Sequence, residues 1–378
     1  AGCAERKKVP PEPKLVLTPV TFEDLPGWAE DDPGGALRAF QASCAHLERQ
    51  DPARTMGGPN GLAGSVGDWL SVCATAARTT PNEASARDFF ETGFTPYQVS
   101  DRDETAGLFT GYFEPLLRGS RRPEGPYRYP LFKRPSDLVS VDLGQFDPEL
   151  KGRRIAGHVA DGRLLPYADR AAIDKGALDG RELELLWVDD PVDRFFLEIQ
   201  GSGQVRLPDG GTIRVGYADQ NGRPYRAIGK DLIELGAIPR EQVSMQTIRA
   251  WLAANPREAP GVMARNPSYV FFREMKDQAA GPEGAQGVPL TPGRSLAVDR
   301  KFLPLGAPVW LDTTAPHPDG DRPLRRLLVA QDTGGAIRGP VRGDVFWGAG
   351  ALAEHLAGHM KSEGRLYLLL PRTLVPAS

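Results

Sequence analysis

The sequence of 378 residues lacks a long apolar run, an excess of positive charge and a cluster of cysteines. No apolar run approaches the roughly 18 residues that a membrane-spanning helix needs. The formal net charge is −3, so no overall positive field attracts nucleic acid, and we expect no nucleic-acid partner. None of the three cysteines has a second Cys or His at ligand spacing, which argues against a zinc site.

Glycine and proline, by contrast, are abundant: 43 Gly and 35 Pro are spread along the chain without a fixed period. The missing period excludes a collagen-like repeat. So many turn-forming residues, in a chain that is 40% hydrophobic, predict a folded protein with short strands and long connections. The length favours two domains.

The N-terminus begins with Ala1-Gly2-Cys3-Ala4, followed by a polar stretch that contains three prolines. Small residues before a cysteine resemble the end of a bacterial lipoprotein signal, where the cysteine receives the lipid. We therefore predict lipidation of Cys3 and a tether over residues 1–20, which would attach the protein to a membrane through lipid. The alternative is that Cys3 has no such role.

The other two cysteines, Cys44 and Cys73, fall within predicted helices at residues 36–48 and 68–77, where apolar residues recur at helical spacing. An exported protein meets an oxidising compartment, in which a disulfide is permitted. A Cys44–Cys73 disulfide and two buried free thiols are both compatible with this pattern.

The remaining pattern predicts helices in the first hundred residues and mostly strands afterwards. A further helix is predicted to begin with Thr80 as N-cap and Pro81 as its first residue and to end at Gly93. Short strands with Gly-rich connections favour a small barrel over a sandwich. Predicted strands lie at 108–115, 184–188, 195–200, 204–207, 212–217, 269–272, 295–298, 308–311, 326–331, 344–347 and 365–370, and later helices at 230–235, 245–254 and 351–360.

The densest candidate for chemistry is the block 329–348. An apolar strand ends at Asp332, a Gly-rich turn follows, and Asp344 comes twelve residues later, just before Phe346 and Trp347. Aromatic faces stack on pyranose rings, and a desolvated Asp can keep a proton near neutral pH, so this pattern suits sugar binding and acid–base chemistry. The alternative interpretation is a turn aspartate beside buried core aromatics.

Other chemistries match the sequence only in part. Asp332-Thr333-Gly334 is the triplet of aspartic proteases, but these enzymes need two, and Asp312-Thr313 is followed by Thr instead of Gly. His355 and His359 have the spacing of zinc ligands on a helix, but Leu stands where a zinc protease carries its Glu. The stretch 200–203 lacks the Lys-Ser/Thr pair of a phosphate-binding loop.

Seven stretches, in order, resemble the membrane-bound lytic murein transglycosylase A family. The resemblance runs from about residue 107 to the end, and the first hundred residues match only loosely. The distance from Asp332 to Asp344 is one residue longer than in some members. The stretches are Phe109-Thr110-Gly111-Tyr112-Phe113-Glu114-Pro115, Gln200-Gly201-Ser202-Gly203, Tyr225-Arg226-Ala227-Ile228-Gly229-Lys230, Ser244-Met245-Gln246, Asn266-Pro267-Ser268-Tyr269-Val270-Phe271-Phe272, Val298-Asp299-Arg300 and the block from Asp332 to Gly348.

The resemblance implies a mainly β fold with α-helices, in the α+β class. A double-psi β-barrel, decorated by N-terminal helices, would comprise residues 21–115 and 276–378. A smaller β-rich domain inserted at residues 116–275 would form the other wall of a glycan groove.

The resemblance also implies an activity on peptidoglycan: cleavage of the β-1,4 bond between N-acetylmuramic acid and N-acetylglucosamine without water, leaving a 1,6-anhydromuramoyl end. Asp344 takes the place of the single catalytic acid and base, with Asp332 and Asp299 as supporting carboxylates. No metal or organic cofactor is required. The implied location is the bacterial outer membrane, facing the periplasm. Candidate groove contacts are Thr110, Gly111, Tyr112, Gln200, Gly201 and Ser202.

Two rival functions remain open on the sequence. An inverting glycan hydrolase would need two carboxylates about 6.5–9.5 Å apart with a water between them, and Asp332 with Asp344 could supply them. A non-catalytic wall-binding barrel would bind glycan without cutting it.

Overall fold

The computed structural model describes residues 12–150, 153–275, 281–317 and 319–374. The predicted lipidation site, Cys3, lies outside the described residues. The helices are α1 (Gly34–Leu47), α2 (Val66–Arg78), α3 (Glu83–Gly93), α4 (Arg170–Asp174), α5 (Pro191–Gln200), α6 (Ile228–Glu234), α7 (Met245–Ala254), α8 (Ala259–Met263) and α9 (Ala351–His359). The strands are β1 (Leu15–Pro19), β2 (Phe94–Asp101), β3 (Gly107–Glu114), β4 (Leu116–Ser120), β5 (Tyr129–Phe132), β6 (Val139–Asp142), β7 (Arg154–Ala160), β8 (Arg163–Pro166), β9 (Glu184–Val188), β10 (Ser202–Arg206), β11 (Thr212–Gln220), β12 (Val270–Glu274), β13 (Ser295–Val298), β14 (Pro308–Ala315), β15 (Arg322–Asp332), β16 (Arg342–Ala349) and β17 (Lys361–Pro371).

Six strands close into a β-barrel in the order β17-β14-β15-β13-β16-β3, because β3 pairs with both β16 and β17. The β13–β15 and β16–β3 pairs are parallel, and the other pairs of the ring are antiparallel. Strands β2 and β1 continue the sheet outward from β17. The predicted fold class, a mainly β protein built on a barrel with N-terminal helices, is confirmed.

The N-terminal helices cover the barrel with an aromatic core. The ring of Phe40 on α1 lies 6.4 Å from that of Trp69 on α2 and 5.6 Å from that of Phe94 at the start of β2. Cys44 and Cys73 are joined by a disulfide that links α1 to α2, so this predicted alternative is confirmed. The burial follows the spacing of the apolar residues along each helix.

Two predicted elements are wrong in detail. Helix α3 begins at Glu83 instead of Pro81, because the side chain of Asn82 accepts a hydrogen bond from the Ser85 N–H and so provides the N-cap. The predicted strand at 195–200 is the second half of helix α5. Asp190 caps that helix through the Val192 N–H, and the proline at the first helical position favours the same start.

The chain between β3 and β13 forms two further sheets. One has the strand order β12-β11-β10-β4-β9-β5, and the other is the three-stranded sheet β6-β7-β8. Helices α5 to α8 pack beside the larger sheet around a second apolar core that includes Phe195, Leu232 and Leu252. The proposed boundaries of the inserted domain, 116 and 275, stay a prediction.

A buried ion pair joins the barrel to this inserted region. Glu114, at the end of β3, is 3% exposed and accepts a hydrogen bond of 2.6 Å from Arg214 on β11. Gln204 on β10 donates to its other oxygen at 2.9 Å. A buried carboxylate with charge-assisted hydrogen bonds from two strands restricts how the inserted sheet sits on the end of β3.

A second contact between the barrel and the inserted region is made by helices. Gln246 on α7 donates a hydrogen bond of 3.3 Å to the carbonyl of Glu354 on α9. Gly358 permits this approach, because a Cβ there would lie 1.9 Å from the Gln246 amide.

Among the helices in the described ranges, none is both long and apolar enough to cross a bilayer.

Candidate active site

Two of the predicted carboxylates stand on one face of the barrel wall. Asp344 on β16 lies opposite Thr110 on β3 and opposite Ala297 on β13. Asp332, the last residue of β15, also pairs with Ala297, at a β-bulge. Residues paired across strands project to the same face, so the barrel brings together side chains that are far apart in sequence.

Two donors converge on one oxygen of Asp344. Arg342 Nη1 donates to Oδ1 at 2.6 Å, and the Thr110 hydroxyl donates to the same oxygen. Arg342 Nη2 also donates to Thr110 Oγ1 at 2.9 Å. Within the described part of the chain, Oδ2 of Asp344 makes no hydrogen bond, and the side chain is 21% exposed.

Asp332, in contrast, has both oxygens engaged. Oδ2 accepts the Tyr112 hydroxyl at 2.8 Å, and Oδ1 accepts the backbone N–H groups of Ala285 and Thr333 at 2.9 Å each. Burial raises the pKa of Asp332, and the negative charge of Asp344 raises it further, while the three hydrogen bonds work in the opposite direction. The net rise favours the protonated acid compared with an ordinary aspartate.

Tyr112 supports Asp332 from β3. Burial, followed by the charge of Asp332, raises the pKa of the Tyr112 phenol well above its ordinary value, so the hydroxyl keeps its proton as a hydrogen-bond donor. Its ring centroid lies 5.2 Å from that of Phe346. Tyr112 is therefore a packed support in this structure, and its predicted contact with glycan stays a prediction.

The expectation of exposed aromatics beside Asp344 is wrong for Phe346. This side chain is 1% exposed and packs with Tyr112, Leu290, Ala297 and Ile337 in a small apolar cluster. Leu290 and Ile337, from the segments before β13 and before β16, complete this cluster around Phe346 and leave its ring out of reach of a sugar. The alternative interpretation of a buried core aromatic is correct at this position.

Trp347 is half-buried, and its position explains why residue 111 on the neighbouring strand β3 is a glycine. A Cβ on Gly111 would lie 2.5 Å from the Trp347 indole nitrogen and 3.1 Å from the α9 backbone at Ala357. Gly111 thus permits close packing of β3 against Trp347 and α9. This packing requirement accounts for the glycine without a glycan contact.

Asp299, the third predicted carboxylate, is 3% exposed at the end of β13. Its two oxygens accept backbone N–H groups, from Lys301 at 3.1 Å and from Gly339 at 3.0 Å. Asp299 therefore anchors the loop that leads from Asp332 to β16. Among the described residues it makes no hydrogen bond to Asp332 or Asp344.

The predicted groove residues of the inserted region lie where α5 meets β10. Gln200 Oε1 accepts the backbone N–H of Phe113 at 3.0 Å, which connects α5 to strand β3. Gly201 ends the helix with a φ of +78°, a conformation that favours glycine, and Ser202 begins β10. These three residues therefore lie beside the strand that carries Thr110.

Arg342 and Ala285 were not among the predicted site residues. Arg342 stands two positions before Asp344 on the same strand, and the period of two could have placed both on one face. The Ala285 contribution comes from a backbone N–H, which no side-chain pattern reveals.

In the described ranges no group of three or more His, Cys, Asp or Glu residues is arranged to hold a metal ion.

Comparisons with known proteins agree with this architecture. Residues 108–273 match the MltA specific insert domain, and residues 294–370 match the 3D domain. Membrane-bound lytic murein transglycosylase A of Vibrio cholerae is 35% identical over 69% of this chain and 65% of its own length. The protein of that name from Escherichia coli K12 is 31% identical over 87% of this chain and 81% of its own length.

Solved structures give the same result. The membrane-bound lytic murein transglycosylase from Agrobacterium tumefaciens superposes with a TM-score of 0.83 at 39% identity, covering 94% of this chain and 98% of that one. MltA from Neisseria gonorrhoeae gives a TM-score of 0.77 at 37% identity, covering 96% of this chain and 92% of its own. The chain therefore belongs to the membrane-bound lytic murein transglycosylase A family, and the prediction that it is an enzyme of this family is confirmed.

Proposed function

We propose that this chain cleaves the β-1,4 bond between N-acetylmuramic acid and N-acetylglucosamine of peptidoglycan without water, with Asp344 as the single acid and base. One observation carries the assignment. Of the three predicted carboxylates, Asp299 and Asp332 have both oxygens occupied by protein donors, whereas Asp344 keeps one oxygen free of the described residues. Proton exchange requires a direct hydrogen bond between the carboxyl group and the ligand, and an oxygen with no protein donor is the most open to one.

The reaction needs one carboxyl group used twice. Asp344 first gives its proton to the glycosidic oxygen while the bond from that oxygen to C1 of the muramoyl residue breaks. The resulting carboxylate then takes the proton of the 6-hydroxyl as O6 attacks C1, which closes the 1,6-anhydro ring. The enzyme ends in its initial protonation state and no water is consumed.

The state of Asp332 argues against an inverting hydrolase. Such an enzyme uses its second carboxylate to remove a proton from water. Both oxygens of Asp332 already accept hydrogen bonds from the protein, three in all, so Asp332 is poorly placed to accept a proton from that water. Its hydrogen bonds support a structural role, in which it holds the Tyr112 hydroxyl and the backbone at Ala285 in place.

The substrate and the groove contacts belong to the same proposal. Escherichia coli MltA has a structure with bound chitohexaose, a linear sugar chain. We propose that a peptidoglycan strand lies across the outer face of the barrel at Asp344, between the barrel and the inserted domain at 116–275. Tyr112, Gln200, Gly201 and Ser202 would line it, whereas Thr110 faces Asp344 and Gly111 packs against Trp347.

The location follows from separate features. The Cys44–Cys73 disulfide supports an oxidising compartment, which fits a periplasmic protein. The Vibrio cholerae and Escherichia coli relatives are named membrane-bound. We propose that a lipid on Cys3 attaches this protein to the outer membrane, which incorporation of labelled palmitate by the wild type but not by Cys3→Ser in cells would test.

Product analysis tests the chemistry. Purified murein sacculi are digested with wild type, Asp344→Asn and Asp312→Asn, and the products are identified by mass spectrometry. Asp312 is the matched control because it is an ion-paired aspartate on barrel strand β14, away from the site. We expect 1,6-anhydromuramoyl ends from wild type and the control, and activity at least about 100-fold lower for Asp344→Asn. Reducing ends from wild type would instead establish a hydrolase.

A further inference from the structure

We propose that Arg342 is the positioning residue of this site: it clamps Oδ1 of Asp344 directly and through Thr110, so that Oδ2 alone carries the proton that is transferred. This inference rests on the proposed function, because it assumes that Asp344 is the acid and base. It assigns to Arg342 a role that concerns the orientation of the carboxyl group and not contact with glycan.

The strand geometry brings the three side chains together. Arg342 and Asp344 are two residues apart on β16 and so project to the same face. Thr110 is the register partner of Asp344 on the parallel neighbour β3. The guanidinium therefore reaches the carboxylate along its own strand and the hydroxyl across the strand pair.

The directions of the hydrogen bonds are determined by the chemistry of the donors. A guanidinium has N–H groups and no acceptor, so Arg342 Nη2 must donate to Thr110 Oγ1. The single hydroxyl proton of Thr110 is then free to point at Asp344 Oδ1. Oδ1 consequently receives both the Thr110 O–H and Arg342 Nη1.

This arrangement distinguishes the two oxygens of the carboxyl group. A proton on Oδ1 would face two donors, so the protonated acid must carry its proton on Oδ2. When that proton leaves, the guanidinium stabilises the negative charge that forms on Asp344. The clamp therefore supports the acid step and holds Oδ2 in place for the base step.

Arg342 is itself held firmly enough to act as a clamp. Its two Nη1 hydrogens are shared between Asp344 Oδ1, the Gly343 carbonyl at 2.5 Å and the more distant Leu108 carbonyl at 3.3 Å, and the side chain is only 13% exposed. Bonds to both β16 and β3 leave the guanidinium few alternative positions. An error of about 1 Å in a reacting group can cost about 100-fold in rate, so a loosened carboxyl group should be measurably slower.

The test measures kcat and KM on soluble, peptide-free glycan strands for Arg342→Gln, Thr110→Val, Thr110→Ser and the double variant Arg342→Gln/Thr110→Val. We expect kcat to fall about 10- to 100-fold for Arg342→Gln and Thr110→Val, with KM within about threefold of wild type. Thr110→Ser, which restores the hydroxyl, should recover most of the loss caused by Thr110→Val. If the clamp acts as one unit, the double variant should be little slower than the slower single variant.

The matched control is Arg325→Gln, because Arg325 makes a cross-strand ion pair of 2.9 Å with Asp312 on the same barrel. It should keep wild-type kcat and KM. Thermal unfolding is followed for every variant. If Arg342→Gln does not fold, Thr110→Val and its rescue by Thr110→Ser carry the test.

The outcomes separate this inference from the proposed function. Activity within threefold of wild type for Arg342→Gln and Thr110→Val, while Asp344→Asn is inactive, would overturn the clamp and leave the function standing. A rise in KM with unchanged kcat would also overturn it, since that indicates substrate binding. Full activity of Asp344→Asn would overturn the proposed function itself.

Discussion

Two arginine–carboxylate pairs in this molecule show how a structural pair differs from a pair at a candidate active site. In the inserted region, Arg170 and Glu198 are each 2% exposed, and both oxygens of Glu198 accept from the guanidinium. On the barrel, Arg342 and Asp344 are 13% and 21% exposed, and the bond uses one oxygen only. The first pair engages both carboxylate oxygens, whereas the second pair is half-open: no described residue donates to the other oxygen of Asp344, which is the oxygen that we propose exchanges the proton.

The surroundings of the buried pair reinforce the contrast. Arg170 also donates to the carbonyls of Asn266 and Ser268, and its guanidinium lies over the rings of Phe195 and Tyr269. Desolvation lowers the pKa of Arg170, but the charge and hydrogen bonds of Glu198, with the charges of Tyr269 and Asp174, together raise it by more, so the pKa lies above its ordinary value and the pair stays charged. Such a pair is compatible with a stable fold only when both partners are present, because either charge alone would be buried without a counter-charge.

The largest effect is expected from breaking the buried pair. Glu198→Gln leaves the Arg170 charge buried without its counter-charge, which should lower the free energy of unfolding by about 3–5 kcal/mol. Urea unfolding followed by circular dichroism measures this loss. The same change in the exposed pair Arg121–Glu274, as Glu274→Gln, should cost less than about 1 kcal/mol.

The half-open pair provides the second control for this experiment. Asp344→Asn removes a partly exposed charge, and its partner Arg342 keeps its backbone acceptors. The free energy of unfolding should therefore fall by at most about 1 kcal/mol, although activity should be lost. Equal losses of stability for Glu198→Gln and Asp344→Asn would contradict the distinction between the two pairs.

A somewhat smaller effect is expected from the disulfide. Cys44 and Cys73 are 29 residues apart in sequence, and a loop of this size predicts that the bond contributes about 3–4 kcal/mol through the unfolded chain. The double variant Cys44→Ala/Cys73→Ala should unfold at correspondingly lower denaturant concentration, and the reductant should destabilise only the wild type. Because the disulfide lies in the helical layer, glycan cleavage by the folded variant should remain.

The smallest effect concerns the pH dependence of stability at Asp332. A carboxyl group with a raised pKa in the folded state stabilises the protein below its unfolded pKa of about 3.9 and loses this contribution as the pH rises through the folded value. Asp332→Asn keeps the shape and an acceptor for the Ala285 N–H without the charge. It should therefore be more stable than wild type at pH 7.

Denaturant unfolding at pH 7 and at pH 3.5 checks this prediction. The difference in the free energy of unfolding between Asp332→Asn and wild type should shrink at the lower pH, because the wild-type side chain is then also neutral. A difference that grew on acidification would show that Asp332 is stabilised as the carboxylate. Asp312→Asn serves as the control for a general effect of removing one negative charge from the barrel.

Local elements were predictable where the pattern is strong and short in range. The apolar spacing around Phe40 and Trp69 predicts helices where α1 and α2 are observed, and the helix predicted at 245–254 is α7, which Ser244 caps. The strand predicted at 195–200 is wrong because two adjacent phenylalanines suit a buried strand as well as a helix. The helix signal is the N-cap Asp190 with Pro191 at the first helical position, and both residues precede the stretch 195–200.

The barrel closure was predictable only through family resemblance. Strand β3 pairs with β16 across more than two hundred residues of sequence, and periodicity contains no information about such a pairing. The same holds for the ion pair of Glu114 with Arg214, which joins the two regions. Nothing in the local sequence at Glu114 distinguishes it from an exposed strand-end glutamate.

The sequence by itself determined which residue types are available for chemistry and the family to which they belong: three aspartates at strand ends, a Gly-rich turn and an ordered set of motifs. Only the tertiary structure decided how these aspartates differ, because a carboxyl group's role depends on which of its oxygens accept hydrogen bonds from residues distant in the chain. Each oxygen of Asp299 and of Asp332 accepts at least one hydrogen bond, from backbone N–H groups and a tyrosine. Among the described residues, Asp344 accepts hydrogen bonds at one oxygen only, from Arg342 and Thr110, and we propose that its other oxygen meets the ligand.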